Sequence, residues 1–141
     1  MIGIRWHSVS GVYDIDFTPE NNKYYEFIQN GDKLLIDNEL MNEYIRKYNA
    51  PEIKGTIPLY MFARNNNGNV DCYTSVKLKE MNIKYSNYEV RRFIPCYSTT
   101  TVTDVNGKQC PAGTKGLYDL VEGKFYTNQG NGEDFKAGPD I

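Results

Sequence analysis

The sequence predicts an all-β fold of antiparallel strands, and three observations carry that expectation. Apolar and polar residues alternate with a period of two along much of the chain. Aromatic residues, which suit a pleated and half-buried surface, are abundant: 12 Tyr, 6 Phe and 1 Trp in 141 residues. Gly- and Asn-containing turn pairs separate the alternating runs. A chain of this length with 40% hydrophobic and 24% charged residues reads as one domain, residues 1–141, able to bury a real core. The formal net charge of −2 argues against nucleic acid as a main partner, since phosphate binding needs clustered Lys and Arg. No basic run followed by an apolar one opens the chain, so no secretory signal is expected. No stretch approaches the roughly 20 apolar residues of a membrane helix, so membrane insertion is not expected either.

From the N-terminus, Ile2 to Val9 and Val12 to Phe17 read as two strands joined across Ser10-Gly11. Tyr24 to Ile36 reads as a hairpin with Asn30-Gly31 at its tip, the pair that tolerates two positive φ angles. A two-residue loop there sets Phe27 opposite Leu34 and Tyr25 opposite Ile36, giving one apolar face. Leu40, Met41, Tyr44, Ile45 and Tyr48 carry helical spacing, which predicts a short helix or turn near 38–48, ended by Pro51. Ile57 to Arg64 and Cys72 to Tyr85 read as strands joined by the Asn65-to-Asn69 turn, with Gly68 at its bend. Val76 and Leu78 share one parity, and Met81, Ile83 and Tyr85 the other. A β-bulge near Lys79-Glu80 would reconcile them.

The last third predicts a closing sheet module. Val90, Arg92 and Ile94 alternate with Arg91, Phe93 and Pro95, a strand closed off by proline. Leu117 to Val121 and Lys124 to Thr127 form a hairpin across Glu122-Gly123, which puts Leu120 opposite Phe125 and Asp119 opposite Tyr126. Gly130, Gly132, Gly138 and Pro139 break the chain before its end.

Those same residues carry a resemblance. RRFIPCY, a polar loop, GLYDLVEGKFYTNQGNGEDF and the closing AGPDI, preceded by IPLYMFARNNNGN and YTSVKLKEMNIKY, resemble the C-terminal end of a laminin-G/concanavalin-like β-sandwich. That version occurs in tail and adsorption proteins of bacteriophages and prophages. The similarity is close over Ile57 to Ile141 and looser over Trp6 to Leu40. It implies a jelly-roll-like sandwich in a virion component assembled in the host cytoplasm. The implied partners are other virion proteins, further copies of the chain and a host-surface glycan. Two departures stand out: the family's sandwich usually has several more strands ahead of Met1, and the loop Ser98 to Lys115 is longer than the expected turn. The first implies a sheet incomplete at its N-terminal edge, completed by another chain or rearranged, or else the end of a longer tail protein.

Chemistry leaves few footholds. His7 is the one histidine, and with no G-x-S-x-G elbow it reads as a plain strand residue. Glucanases on the concanavalin-like fold use E-x-D-x-x-E, which holds an acid and a nucleophile roughly 5 Å apart. The nearest approach, Asp14, Asp16 and Glu20, is one residue too long and is broken by Pro19. A glycan-processing hydrolase on this fold is therefore the alternative rather than the main reading. A lectin-like domain of a bacterial surface protein is a further one. Asp14, Asp16, Asp32, Asp37 and Asn38 offer oxygens for calcium, but their spacing builds no cage of six to eight ligands. No cofactor is expected. Cys72, Cys96 and Cys110 read as free thiols, with a Cys96–Cys110 disulfide across the long loop as the alternative. The positive candidates are for sugar, which is held by an aromatic ring and by amides and carboxylates bonded to its hydroxyls. Asn65, Asn66, Asn67 and Asn69 with Asp71 and Tyr73 offer that mixture. So do Tyr126, Asn128, Gln129 and Asn131, although Asn-Gly clusters also form turns.

Overall fold

The structure, a computed structural model, describes residues 4–8, 11–15, 17–30, 33–43, 64–66, 69–71, 76–130 and 134–137. It is all-β: the named sheets are antiparallel and no helix occurs among the described residues. Contacts group the chain into two compact units, Met1–Gly55 and Thr56–Ile141.

In the first unit, β1 (Ile4–Ser8) and β2 (Gly11–Ile15) pair from Ile4 opposite Ile15 to Ser8 opposite Gly11. The connection is residues 9–10, one position earlier than Ser10-Gly11. A second sheet has the order β3 (Phe27–Asn30), β4 (Lys33–Ile36), β5 (Glu39–Glu43). Asn30 faces Lys33, so the tip is residues 31–32 and Phe27 faces Ile36 rather than Leu34. The base of the hairpin sets this register. Asp37 N–H donates to Glu26 O at 2.9 Å, and Asp37 Oδ1 accepts the Glu26 N–H at 2.8 Å, which locks 26 against 37. A slip of two residues keeps every side chain on its face, so Leu34 and Ile36 remain the buried pair.

The expected helix or turn near 38–48 is corrected over its described part, where residues 39–43 are strand β5. Asp37 and Asn38 both take positive φ, 50° and 67°. This is the pattern of a two-residue hairpin turn, and Asp and Asn enter that region at little cost. The turn sends the chain back along β4, and Met41 becomes the extra residue of a bulge opposite Leu34 and Leu35. Residues 44–48 lie outside the described ones. Beside this sheet Phe17, Tyr25 and Phe27 form an aromatic cluster, with Phe17 edge-on to Tyr25 at 5.1 Å and to Phe27 at 6.1 Å.

In the second unit, β6 (Arg64–Asn66) and β7 (Asn69–Asp71) form the expected Asn-rich hairpin, with residues 67–68 at the tip. The flanking stretches 57–63 and 72–75 lie outside the described residues. No bulge forms at Lys79-Glu80. Residues 76–80 are not strand, and β8 (Met81–Tyr85) begins afresh, so the two parities never share a ladder.

The main sheet has the order β13 (Lys124–Tyr126), β12 (Lys115–Asp119), β9 (Tyr88–Tyr97), β8. Strand β9 runs straight through Pro95, and the hydrogen-bond alternation explains why. Ser98 N–H donates to Thr114 O and Leu120 N–H to Arg92 O, so even-numbered β9 residues form the bonded pairs with β12. Pro95 is odd, and its nitrogen faces away from β12. On that side β8 ends at Met81 opposite Phe93, so no ladder bond is lost.

The β12–β13 turn is also longer than expected. Tyr118, not Leu120, faces Phe125, and Asp119 faces Lys124 across a four-residue loop, 120–123. Gly123, at φ 67°, lets its N–H reach Asp119 O at 2.8 Å. Phe93 and Leu117 are buried on one sheet face, and Phe125 is buried on the other over Gly116.

The long loop after β9 is a folded excursion. Ser98 and Thr114 close its base. Within it β10 (Val102–Thr103) and β11 (Gln109–Cys110) pair, with Val102 opposite Cys110.

Candidate functional site

Two buried carboxylates organise the second unit. The Asp119 side chain is 0% exposed. Its Oδ1 accepts the N–H groups of Arg92 and Val121, each at 3.0 Å, so it ties the 120–123 turn to β9. Oδ2 lies 3.4 Å from Arg91 Nε, close enough for charge attraction but outside hydrogen-bond geometry, and it has no hydrogen-bond donor. Arg91 Nη2 makes its closer ion pair with Glu122 Oε1 at 2.6 Å, and Glu122 Oε2 also holds Lys124 at 3.0 Å.

Asp104 does for the long loop what Asp119 does for the hairpin. Oδ1 accepts the Asn106 and Lys108 N–H groups, each at 2.9 Å. Oδ2 accepts the Thr127 hydroxyl at 2.7 Å and Gln129 Nε2 at 3.2 Å. Burial alone would raise the Asp104 pKa. The hydrogen bonds from Thr127, the Lys108 and Asn106 amides and Gln129 outweigh it, and the carboxyl sits below its ordinary range. A parallel bridge from Asp104 to Phe125 and a Val105 N–H bond to Phe125 O dock the loop on β13. Between loop and hairpin lies an open recess of about 480 Å³, lined by residues that include Thr103, Asp104, Tyr118, Lys124 and Phe125.

Of the sugar candidates, Asn65, Asn66, Asn69 and Asp71 fall on β6 and β7 around the hairpin tip, with Asn66 opposite Asn69. Asn67, Tyr73 and Asn131 lie outside the described residues. Tyr126 is half-buried and meets Phe93 edge-to-face at 5.3 Å. Gln129 is bound inward, by Nε2 to Asp104 and Thr127 and by Oε1 to the Asn106 amide. Asn128 Oδ1 accepts the Gly130 N–H at 3.0 Å. The Tyr126-to-Asn128 end of this set thus does structural work.

Among the calcium candidates, Asp37 spends Oδ1 on the Glu26 amide, and Asp14 faces Arg5 in the β1–β2 ladder. Asp16 and Asp32 lie outside the described residues. Among the described residues, no three His, Cys, Asp or Glu side chains converge as metal ligands. Cys96 and Cys110 are free thiols, so the disulfide alternative does not form. Cys110 is buried, and burial raises the pKa of Cys96.

One pair escaped the sequence reading. Tyr85 and Tyr88 flank the Ser86-Asn87 turn, face each other across the β8–β9 ladder, and are 74% and 77% exposed. Among the described residues, neither side chain makes a ring contact or a hydrogen bond. The signal was present as Tyr-Ser-Asn-Tyr, two aromatics around a two-residue turn. The predicted strand ends at Tyr85, but no hairpin is read there because no Gly marks the turn; Ser86 itself takes φ 54°. At the other end of the β8–β9 pair, Glu80 Oε1 accepts from Arg92 Nε at 2.8 Å and from Asn82 Nδ2 at 3.1 Å.

Comparison with known proteins gave no matching family model, no matching curated protein and no matching solved structure. The fold and the described residues define an all-β, antiparallel chain that presents aromatic side chains at a turn. No helix of the described residues is long and apolar enough to cross a membrane.

Proposed function

We propose that the chain is a non-enzymatic attachment component of a bacteriophage virion, of the tail, fibre or adsorption type. It acts in host-surface glycan recognition or in docking to neighbouring virion proteins. On this reading the antiparallel sheets belong to a jelly-roll-like, laminin-G/concanavalin-like sandwich, and the chain works in a homo-oligomer within the particle. The observation that supports it is the solvent-facing pair Tyr85 and Tyr88, held out on a short hairpin with neither side chain in a hydrogen bond or ring contact among the described residues. Exposed aromatic anchors on a strand-paired element are how binding surfaces are made. Asp104 and Asp119, buried and bonded to backbone N–H groups, hold turns and present no acid pair to a substrate.

The test has two arms. Antibody against the chain should label intact particles of a phage that encodes it, under immunogold electron microscopy. Fluorescently labelled chain should also stain host cells, or else co-purify with another virion protein. Particles without label would sink the reading.

A further inference from the structure

Resting on that attachment reading, we infer that Tyr85 and Tyr88 form a stacking platform for an uncharged hexopyranose unit of a glycan. The two residues are directly opposed in an antiparallel ladder, so both side chains leave from the same sheet face at neighbouring positions. Tyrosine offers broad, rigid contact area at the entropy cost of two side-chain torsions. Its ring suits the C–H face of a pyranose, and its hydroxyl suits a sugar hydroxyl.

The bulge at Val90, between the Ile83 and Lys84 pairings, twists the ladder just before the turn, and Arg92, Glu80 and Asn82 are bonded together at the far end of the same strand pair. Charge points to a neutral ligand. Lys84 faces Glu89 on the opposite side of the ladder, and their charges offset. The neighbouring guanidinium groups are paired with carboxylates, Arg91 with Glu122 and Arg92 with Glu80. A purely apolar partner would bury two phenol hydroxyls without acceptors, which is costly, whereas a saccharide supplies them.

The experiment titrates the full chain with oligosaccharides of dextran, mannan and galactan, following tyrosine resonances by NMR. At least one should bind saturably. Tyr85→Ala and Tyr88→Ala should each weaken that binding about tenfold or more. Tyr85→Phe, which keeps the ring, should lose less, and Tyr97→Ala, equally exposed on the same unit, should change nothing. Circular dichroism on each variant guards against misfolding. Failure of all three saccharides to bind overturns the inference. So does binding that both alanine variants retain, or a change of oligomeric state in those variants in place of a change in affinity. Particle labelling that persists through any of these results leaves the attachment role standing and removes only this site.

Discussion

Gly116 is where one hydrogen in place of a methyl group decides the packing of β12 against β13. A Cβ there would stand 2.5 Å from the Phe125 ring and 2.5 Å from the Tyr126 carbonyl oxygen. The ring could shift, but the carbonyl belongs to the sheet. Gly116→Ala should therefore destabilise the chain by about 1–3 kcal/mol, the usual cost of overpacking, read from the urea midpoint. An unchanged midpoint would mean that Phe125 does not lie over β12. Asp104 makes a different prediction. Its folded pKa lies below its ordinary value of 3.8, so the unfolded chain binds the proton more readily. The stability it contributes is present above the ordinary value and is lost as pH falls through the folded one. Urea midpoints should drop between about pH 5 and pH 2. Asp104→Asn should flatten that drop and cost about 1–3 kcal/mol at neutral pH. An equally steep acid limb in the variant would assign the loss to other carboxylates.

At the scale of elements, registers were half legible. The Tyr24-to-Ile36 hairpin and the β12–β13 hairpin were both placed correctly in the chain, and both ladders differ from expectation by two residues. Even slips conserve faces, so Leu34, Ile36 and Phe125 are buried as their faces require while the partners changed. Phe27 and Leu120 are left about half exposed. The cause is the same in each: an aspartate that binds backbone N–H groups, Asp37 at Glu26 and Asp119 at Arg92 and Val121. Pattern reading ranks Gly-containing pairs as turns and does not weigh a carboxylate outside the pair. Strand β9 adds a testable device. Past Phe93 its outer edge has no described neighbour, and Pro95 removes an N–H from that edge, as natural sheets do to discourage added strands. Pro95→Thr should leave the urea midpoint nearly unchanged while promoting self-association in sedimentation velocity. A strictly unchanged sedimentation profile would rule out a protective role for the proline.

At the scale of the whole molecule, the alternation of side chains and the wealth of tyrosine by themselves determined the class: strands, antiparallel, joined by short turns. These are local properties, set by which residues fit a pleat and which dipeptides tolerate positive φ. Tertiary structure alone decided the rest. Asp104 lies 23 residues from Thr127 and 25 from Gln129, and no local pattern marks them as partners, so Gln129 looked free to bind sugar when it is a structural donor. The exposure of Tyr85 and Tyr88 is equally non-local: alternation places them on a strand, but only the course of the chain around them leaves that face open to solvent. Burial is a property of what packs above a residue, and that is set by chain segments far away in sequence.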